Sequence, residues 1–286
     1  TLEGKDMATN QVQSLQRAIQ LLEAMDSARR PMTLHELAEE SGLVKSTVHR
    51  LLATLREADL VEQLADGRYA LGLHLFEMGC SAGYMRDIVF IARPYMQAIW
   101  QQTNESVSLS LLSQGEALVL SFIESTNTFR VVARTGSKLP VHCTVQGKIM
   151  LAHMTRAEVK RILREHGMQA YTANTKRSFE ELEPELQRIR EQGYAVDNSE
   201  FHAGLCSVAA PIYDENGNVC YAFSIVSMFH QLNTPEFRHV RNLALVAARD
   251  ISFALGYRGD AFADIVESAE TSGLLVQSVS PGSRRS

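Results

Sequence analysis

Residues 32–61 read MTLHELAEESGLVKSTVHRLLATLREADLV. Two short helical patterns meet at Gly42 in this stretch, the layout of a helix-turn-helix that reads DNA. Thr33 followed three residues later by Glu36 is a capping-box pair and fixes where the first helix begins. Gly42 supplies the left-handed residue that ends it. The second helix is predicted over 44–58. Val48, Leu51, Leu52 and Leu55 share one face of it and are expected in a core. Ser46, Arg50 and Ala53 point the other way, with Thr47, His49 and Thr54 on the flanks. Small residues on such a face allow close approach to a groove floor. An arginine can pair bidentately with guanine, and hydroxyls near a helix start suit phosphates.

The next residues extend the pattern. Residues 60–64 and 69–71 read as two short strands around Asp66-Gly67, a strong hairpin signal. Helix, turn, helix and hairpin make a winged helix-turn-helix, with Arg68 at the wing tip placed for a backbone or minor-groove contact. Thr33, Lys45, Ser46, Thr47, His49, Arg50 and Arg68 are the candidate DNA-contacting residues. Lys45 is the phosphate contact of the set and Arg50 the base reader.

Charge tests this reading. The chain carries a net −5, and residues 1–72 hold eight Lys or Arg against eleven Asp or Glu. DNA-binding domains usually present a basic surface. Here the basic residues are local: 43–56 contains Lys45, Arg50 and Arg56 and no acid. Modest affinity per protomer, raised by dimerisation, follows. The helix predicted over 12–26 carries Leu15, Ala18, Ile19, Leu22 and Met25, more apolar surface than a small winged helix needs for its own core, so a homodimer through this domain is expected.

At 286 residues the chain has room for two domains, and 45% hydrophobic with 21% charged residues is ordinary globular composition. No run approaches the roughly 18–20 apolar residues of a membrane span. The first residues have no apolar signal core. Four cysteines are scattered without CxxC spacing, which argues for reduced thiols in the cytoplasm and against a zinc motif.

Four parts are read along the chain: 12–72, the winged helix-turn-helix; 73–86, a linker helix; 87–257, a second domain; and 258–286, a Ser- and Gly-rich stretch that reads as a disordered tail. In the second domain helices are predicted over 88–103 (with Pro94 inside), 145–153, 156–165, 179–192 and 235–255. Strands are predicted over 106–112, 117–124, 129–135, 194–199, 206–213 and 219–228. Strands, then helices, then strands indicate an α+β domain with one mixed sheet flanked by helices.

Four segments, in order, carry a family resemblance: GLVKSTVHRLL at 42–52, RYALG at 68–72, LPVHCTVQGK at 139–148, and the run from Gly193-Tyr194 to GLCSVAAPI at 204–212. Over about residues 12–257 the chain resembles the IclR family of bacterial transcription regulators. The resemblance implies a winged helix-turn-helix joined by a linker helix to a GAF-like effector-binding domain. It also implies dimers that often pair into tetramers, a palindromic operator in double-stranded DNA, and a small organic acid as ligand. Carried over residue by residue, Val145, Gln146 and Gly147 fall in the ligand loop at a helix start, where backbone amides suit a carboxylate. Asp197 matches an acidic pocket position and Ser224 a pocket serine. Ser207 stands where many members carry a cysteine, with Cys206 displaced by one. Val226 stands where a second serine occurs. Fewer polar groups than in α-keto-acid binders point to a larger, less polar acid.

The expected function is therefore a ligand-controlled repressor of a catabolic operon. Two other classes stay open on the residues alone: an adaptor that keeps the helix-turn-helix as a dimerisation scaffold, and an enzyme built on the GAF-like domain. His142-Cys143 is too sparse for a metal site without a second cluster. His202, Cys206 and Asp197 could be imagined as a triad, but no nucleophile-elbow motif supports them. No cofactor, metal or catalytic residue is assigned.

Overall fold

The computed structural model describes residues 12–262 apart from 82, 128–132 and 228–233. Its contacts divide the chain into two units, 1–84 and 85–286.

The first unit contains α1 (Gln13–Ala28), α2 (Leu34–Ser41), α3 (Lys45–Glu57), β1 (Val61–Gln63), β2 (Tyr69–Leu71) and α4 (Leu73–Ser81). Local chemistry sets the boundaries. Thr33 Oγ1 accepts from the Glu36 amide at 3.2 Å, and Glu36 Oε2 accepts from the Thr33 amide at 2.7 Å, so both halves of the capping box form. The Thr33 amide, with Arg30 beside it, holds the Glu36 carboxyl down to about 2. Gly42 ends α2 at φ +65°, where a side chain would be strained. Val48, Leu52 and Leu55 bury against Leu21, Met25 and Leu37, with Leu51 partly buried beside them. β1 and β2 pair antiparallel over three residue pairs, and Met32, ahead of α2, forms an isolated antiparallel bridge to Tyr69 on the other side of β2. The centre of the buried stripe of α1 is Leu21, fully buried, with Met25; Leu15 and Ile19 lie outside it, 60% and 45% exposed.

The second unit contains α5 (Gly83–Thr103), β3 (Ser106–Ser113), β4 (Glu116–Ile123), β5 (Lys138–Leu139), α6 (Val145–Ala152), α7 (Arg156–His166), α8 (Phe179–Gln192), β6 (Ala195–Asn198), β7 (Cys206–Tyr213), β8 (Val219–Ser227) and α9 (Pro235–Ala254). α5 runs through Pro94. The strands form one six-stranded sheet, ordered β5-β4-β3-β8-β7-β6. Every pair is antiparallel, so the expected mixed sheet is corrected. The reason is the return path: α6 to α8 carry the chain from one sheet edge to the other, and two hairpins bring β8 back antiparallel to β3. The strand expected over 129–135 is also corrected. Residues 129–132 lie outside the described residues, 133–135 are not strand, and the edge strand is β5.

Both faces of the sheet are covered. Val107, Leu109, Val208, Ala210, Phe223 and Ile225 pack against α5 and α9. Ala117, Ala195, Ala209 and Ala222 face α6, α7 and α8. Small residues on that second face let α6, buried along its whole length, lie close to the strands. An alanine Cβ at Gly147 would stand 2.2 Å from Val141 Cα, so only glycine allows this approach. The tail expected from 258 differs at its start: Phe262 is buried and its ring stands edge-on to Tyr213 at 5.6 Å. The remainder of that stretch, 263–286, and residues 1–11 lie outside the described residues.

Candidate functional site

The first candidate surface is the outer face of α3. Lys45, Ser46, His49 and Arg50 are exposed and Thr47 is half-buried. No ion pair ties down Lys45, His49 or Arg50 among the described residues. The N-cap of α3 is Val44, which offers no side-chain acceptor, so the Lys45 and Ser46 amides have no helical acceptor, while the Thr47 amide donates to the Val44 carbonyl at 2.9 Å. Arg50 borders a groove between α3 and α1 with Thr47, Thr54, Ser14 and Arg17. Two of the candidate residues are engaged elsewhere. The Thr33 hydroxyl is used in the capping box. Arg68 is held by Asp66, Nε donating at 2.8 Å, a fully exposed pair that a phosphate can exchange for little cost. Arg56 donates to Gln63 at 2.9 Å and so ties α3 to the wing.

The second candidate site is a cavity of about 100 Å³ in the second unit. Val145, Gln146, Asp197, Ser207 and Val226 line it. Strand register explains why three of these converge. Asp197 is paired with Ser207, and Ser207 with Val226, so the three form one row across β6, β7 and β8 on the α6 face. Ser108, Thr144, Phe122, Leu139, Phe201, His202 and Leu205 are among the other lining residues, none of them anticipated as pocket residues. The signal for Ser108 lay in Ser106-Val-Ser-Leu-Ser110, whose alternation puts three serines on one face. All three are buried beneath the helix layer rather than solvated.

Gly147 and Ser224 stand behind the wall. The Gly147 amide donates to Thr144 Oγ1 at 3.3 Å, so the N-cap takes it. Val145 and Gln146 keep first-turn amides with no helical acceptor. Ser224 is fully buried, 2.7 Å from Ser108 Oγ, and accepts from Gln146 Nε2 at 3.0 Å. Gln146 Nε2 also reaches Ser108 Oγ at 3.2 Å. Ser224 thus orients Gln146 rather than facing the cavity itself.

Asp197 is 4% exposed, and burial pushes its carboxyl up to about 6. Its Oδ1 accepts from the Glu200 amide at 2.7 Å, and Ser207 Oγ lies 3.5 Å from Oδ2. Behind it sits Lys148, fully buried, donating to Glu200 at 2.7 Å, to the Val196 carbonyl at 2.7 Å and to Glu185. Burial opposes the ammonium, but the two carboxylates outweigh it and raise its pKa.

His142 Nε2 is 3.0 Å from the Gln169 carbonyl oxygen. Burial pushes the Cys143 thiol up to about 12, far from a thiolate. The Cys206 thiol lies 4.0 Å from the Asn198 side-chain oxygen. Among the described residues no three His, Cys, Asp or Glu groups gather in a metal-binding arrangement. No described helix is long and apolar enough to cross a membrane.

Comparison with known proteins finds a family domain in each of the two units. Residues 14–65 match the IclR helix-turn-helix domain, and residues 81–253 match the bacterial transcriptional regulator IclR C-terminal domain. The chain is 33% identical over 252 residues to the transcriptional repressor IclR of Escherichia coli K12, covering 87% of this chain and 92% of that protein. It is 31% identical over 257 residues to the HTH-type transcriptional repressor AllR of the same organism, covering 90% and 95%. A solved IclR homologue from Microbacterium hydrocarbonoxydans, complexed with 4-hydroxybenzoate, superposes with a TM-score of 0.78 at 25% identity, covering 85% of this chain and 98% of that one.

Proposed function

This chain belongs to the IclR family of bacterial transcriptional regulators, a DNA-binding regulator and not an enzyme, and from that premise we propose that it is a cytoplasmic repressor of a catabolic operon, released by a small organic acid. The observation that carries the ligand half is the row Asp197–Ser207–Val226 facing the first turn of α6 across one cavity. A carboxylate gains about 0.3–1 kcal/mol from such a helix start, with more from direct hydrogen bonds to the Val145 and Gln146 amides. A ligand hydroxyl meets Asp197, which would repel a bare carboxylate. Phe122, Phe201 and Leu205 supply apolar walls for the ligand's carbon frame. The volume is below the roughly 300–1,000 Å³ of drug-sized sites, so a compact acid fits directly and a larger one needs the 199–205 loop to yield. The bound 4-hydroxybenzoate of the relative makes aromatic hydroxy acids the first compounds to test. A thermal-shift screen of aromatic, sugar and keto acids decides: a ligand at 100 times its Kd adds roughly 2.7 kcal/mol. The proposal fails if no acid both stabilises the protein and weakens its hold on operator DNA.

The DNA half rests on Arg50 as base reader and Lys45 as phosphate contact. Arg50→Ala is expected to cost about 1–3 kcal/mol of operator affinity and to relax specificity at one position per half-site. Lys45→Ala should weaken all sequences alike and flatten the dependence on salt. Operator binding by Arg50→Ala at wild-type strength would remove α3 as the reader.

Two-fold use of a palindromic operator requires a dimer, and the family resemblance allows dimers to pair further. Val12, Leu15 and Ile19 leave an apolar stripe of α1 exposed, and Leu73 and Phe76 do the same on α4. Leu15→Glu with Ile19→Glu should therefore give a folded monomer with lost operator affinity. Sedimentation velocity reads the outcome; an unchanged sedimentation coefficient counts against this face.

A further inference from the structure

We propose that the effector domain holds a second ligand site, for a small hydroxylated metabolite with at least two negative charges. The site is a cleft of about 500 Å³ between α8, the edge strand β6 and α9. This volume lies within the roughly 300–1,000 Å³ of ordinary small-molecule sites. Alternation along β6 keeps it separate from the cavity described above: Val196 and Asn198 line the cleft, while Asp197 lines the cavity; Glu200, just past the strand, also borders the cleft.

Charge decides what the cleft takes. Lys176, Arg188, Arg238 and Arg241 border it. Its two acids, Glu185 and Glu200, are already engaged by the buried Lys148 beneath them. A chain of net charge −5 thus concentrates positive potential in one concave place, which attracts and holds anions. Arg241 is oriented for this: its guanidinium sits 5.4 Å from the Tyr194 ring centroid and is bonded to Asn242 at 3.0 Å. A second, independent feature fixes the hydroxyl. Glu200 is 3% exposed, and its Oε2 has no hydrogen-bond partner. A buried carboxylate oxygen left without a donor is costly, and a ligand hydroxyl supplies one. The anionic groups then meet the arginines at the rim, and a hydroxyl meets Glu200 on the floor.

Phosphate esters and polycarboxylates share this chemistry, and the test separates them. Citrate, tricarballylate (citrate without its hydroxyl) and glycerol 3-phosphate are titrated into the full chain by calorimetry at fixed ionic strength. Citrate or glycerol 3-phosphate is expected to bind saturably, and tricarballylate more weakly than citrate. Arg188→Ala with Arg241→Ala should weaken the bound probe about tenfold or more. Arg188→Glu alone, at an exposed position, should do the same without disturbing the Tyr194 stack. Ser207→Ala, in the other cavity, should leave the affinity unchanged. The proposal is overturned if neither citrate nor glycerol 3-phosphate binds, if the Arg188 variants bind like wild type, or if Ser207→Ala abolishes binding. Ser207→Ala therefore separates a failure of this site from a failure of the reading of the first cavity.

Discussion

Lys148→Met is expected to cost the effector domain about 3–5 kcal/mol, because it strands two largely buried carboxylates without their cation. Glu200 is 3% exposed, and the Glu185 side chain 15%. Both point at the ammonium, which also holds the Val196 carbonyl. The methionine stem fills the space of the lysine stem, so packing changes little and the loss is electrostatic. Adding Glu185→Gln and Glu200→Gln to the same variant should recover most of the stability, since no buried charge is then left. Trp100, the single tryptophan, lies in α5 and donates to the Glu124 carbonyl at 2.9 Å, so its fluorescence in urea reports this domain. A loss below about 1 kcal/mol in the single variant would mean that water reaches the cluster.

The Lys148 cluster also shows where sequence reading stops. Gln146-Gly147-Lys148 was legible as a helix start, and Thr144 caps it. Nothing local says that the lysine turns inward, because its partners lie 37 and 52 residues away. The reading head was legible for the opposite reason. Thr33 with Glu36, Gly42, and Asp66-Gly67 act within three or four residues of themselves, and each specifies one boundary.

Intermediate cases fall where two faces compete. α1 is apolar at Leu15, Ile19, Leu21, Leu22 and Met25, and periodicity alone cannot say which stripe meets the core. Packing chooses Leu21 and Met25 and leaves Leu15 and Ile19 outside. Ser207 and Ser224 likewise share the α6 face, as alternation allows, but depth separates them. Ser207 reaches the cavity while Ser224 sits under Gln146. The mixed sheet was misread because strand direction across a sheet is set by long connections that no local pattern encodes.

Asp197→Asn is expected to stabilise the effector domain at pH 7 by up to about 3 kcal/mol and to leave it nearly unchanged at pH 4. Burial is the main reason. It lifts the carboxyl from 3.8 to about 6, although the Glu200 amide and Lys148 pull the other way. The folded protein therefore keeps a proton that the unfolded chain releases between these values. The stability this group contributes is fully present below about pH 4 and is lost as pH rises through about 6. Asparagine keeps both contacts: its oxygen still accepts from the Glu200 amide, and its amide can donate to Ser207. Urea midpoints followed by Trp100 fluorescence at pH 4 and pH 7 give the comparison. A variant less stable than wild type at pH 7 would show that Lys148 outweighs burial at this carboxyl. The same proton governs an acid ligand. Above pH 6 an ionised Asp197 repels an incoming carboxylate in a site of low dielectric, so wild-type affinity for an organic acid should fall as pH rises past that value. In Asp197→Asn that fall should flatten, because the only change is the loss of a charge facing the cavity.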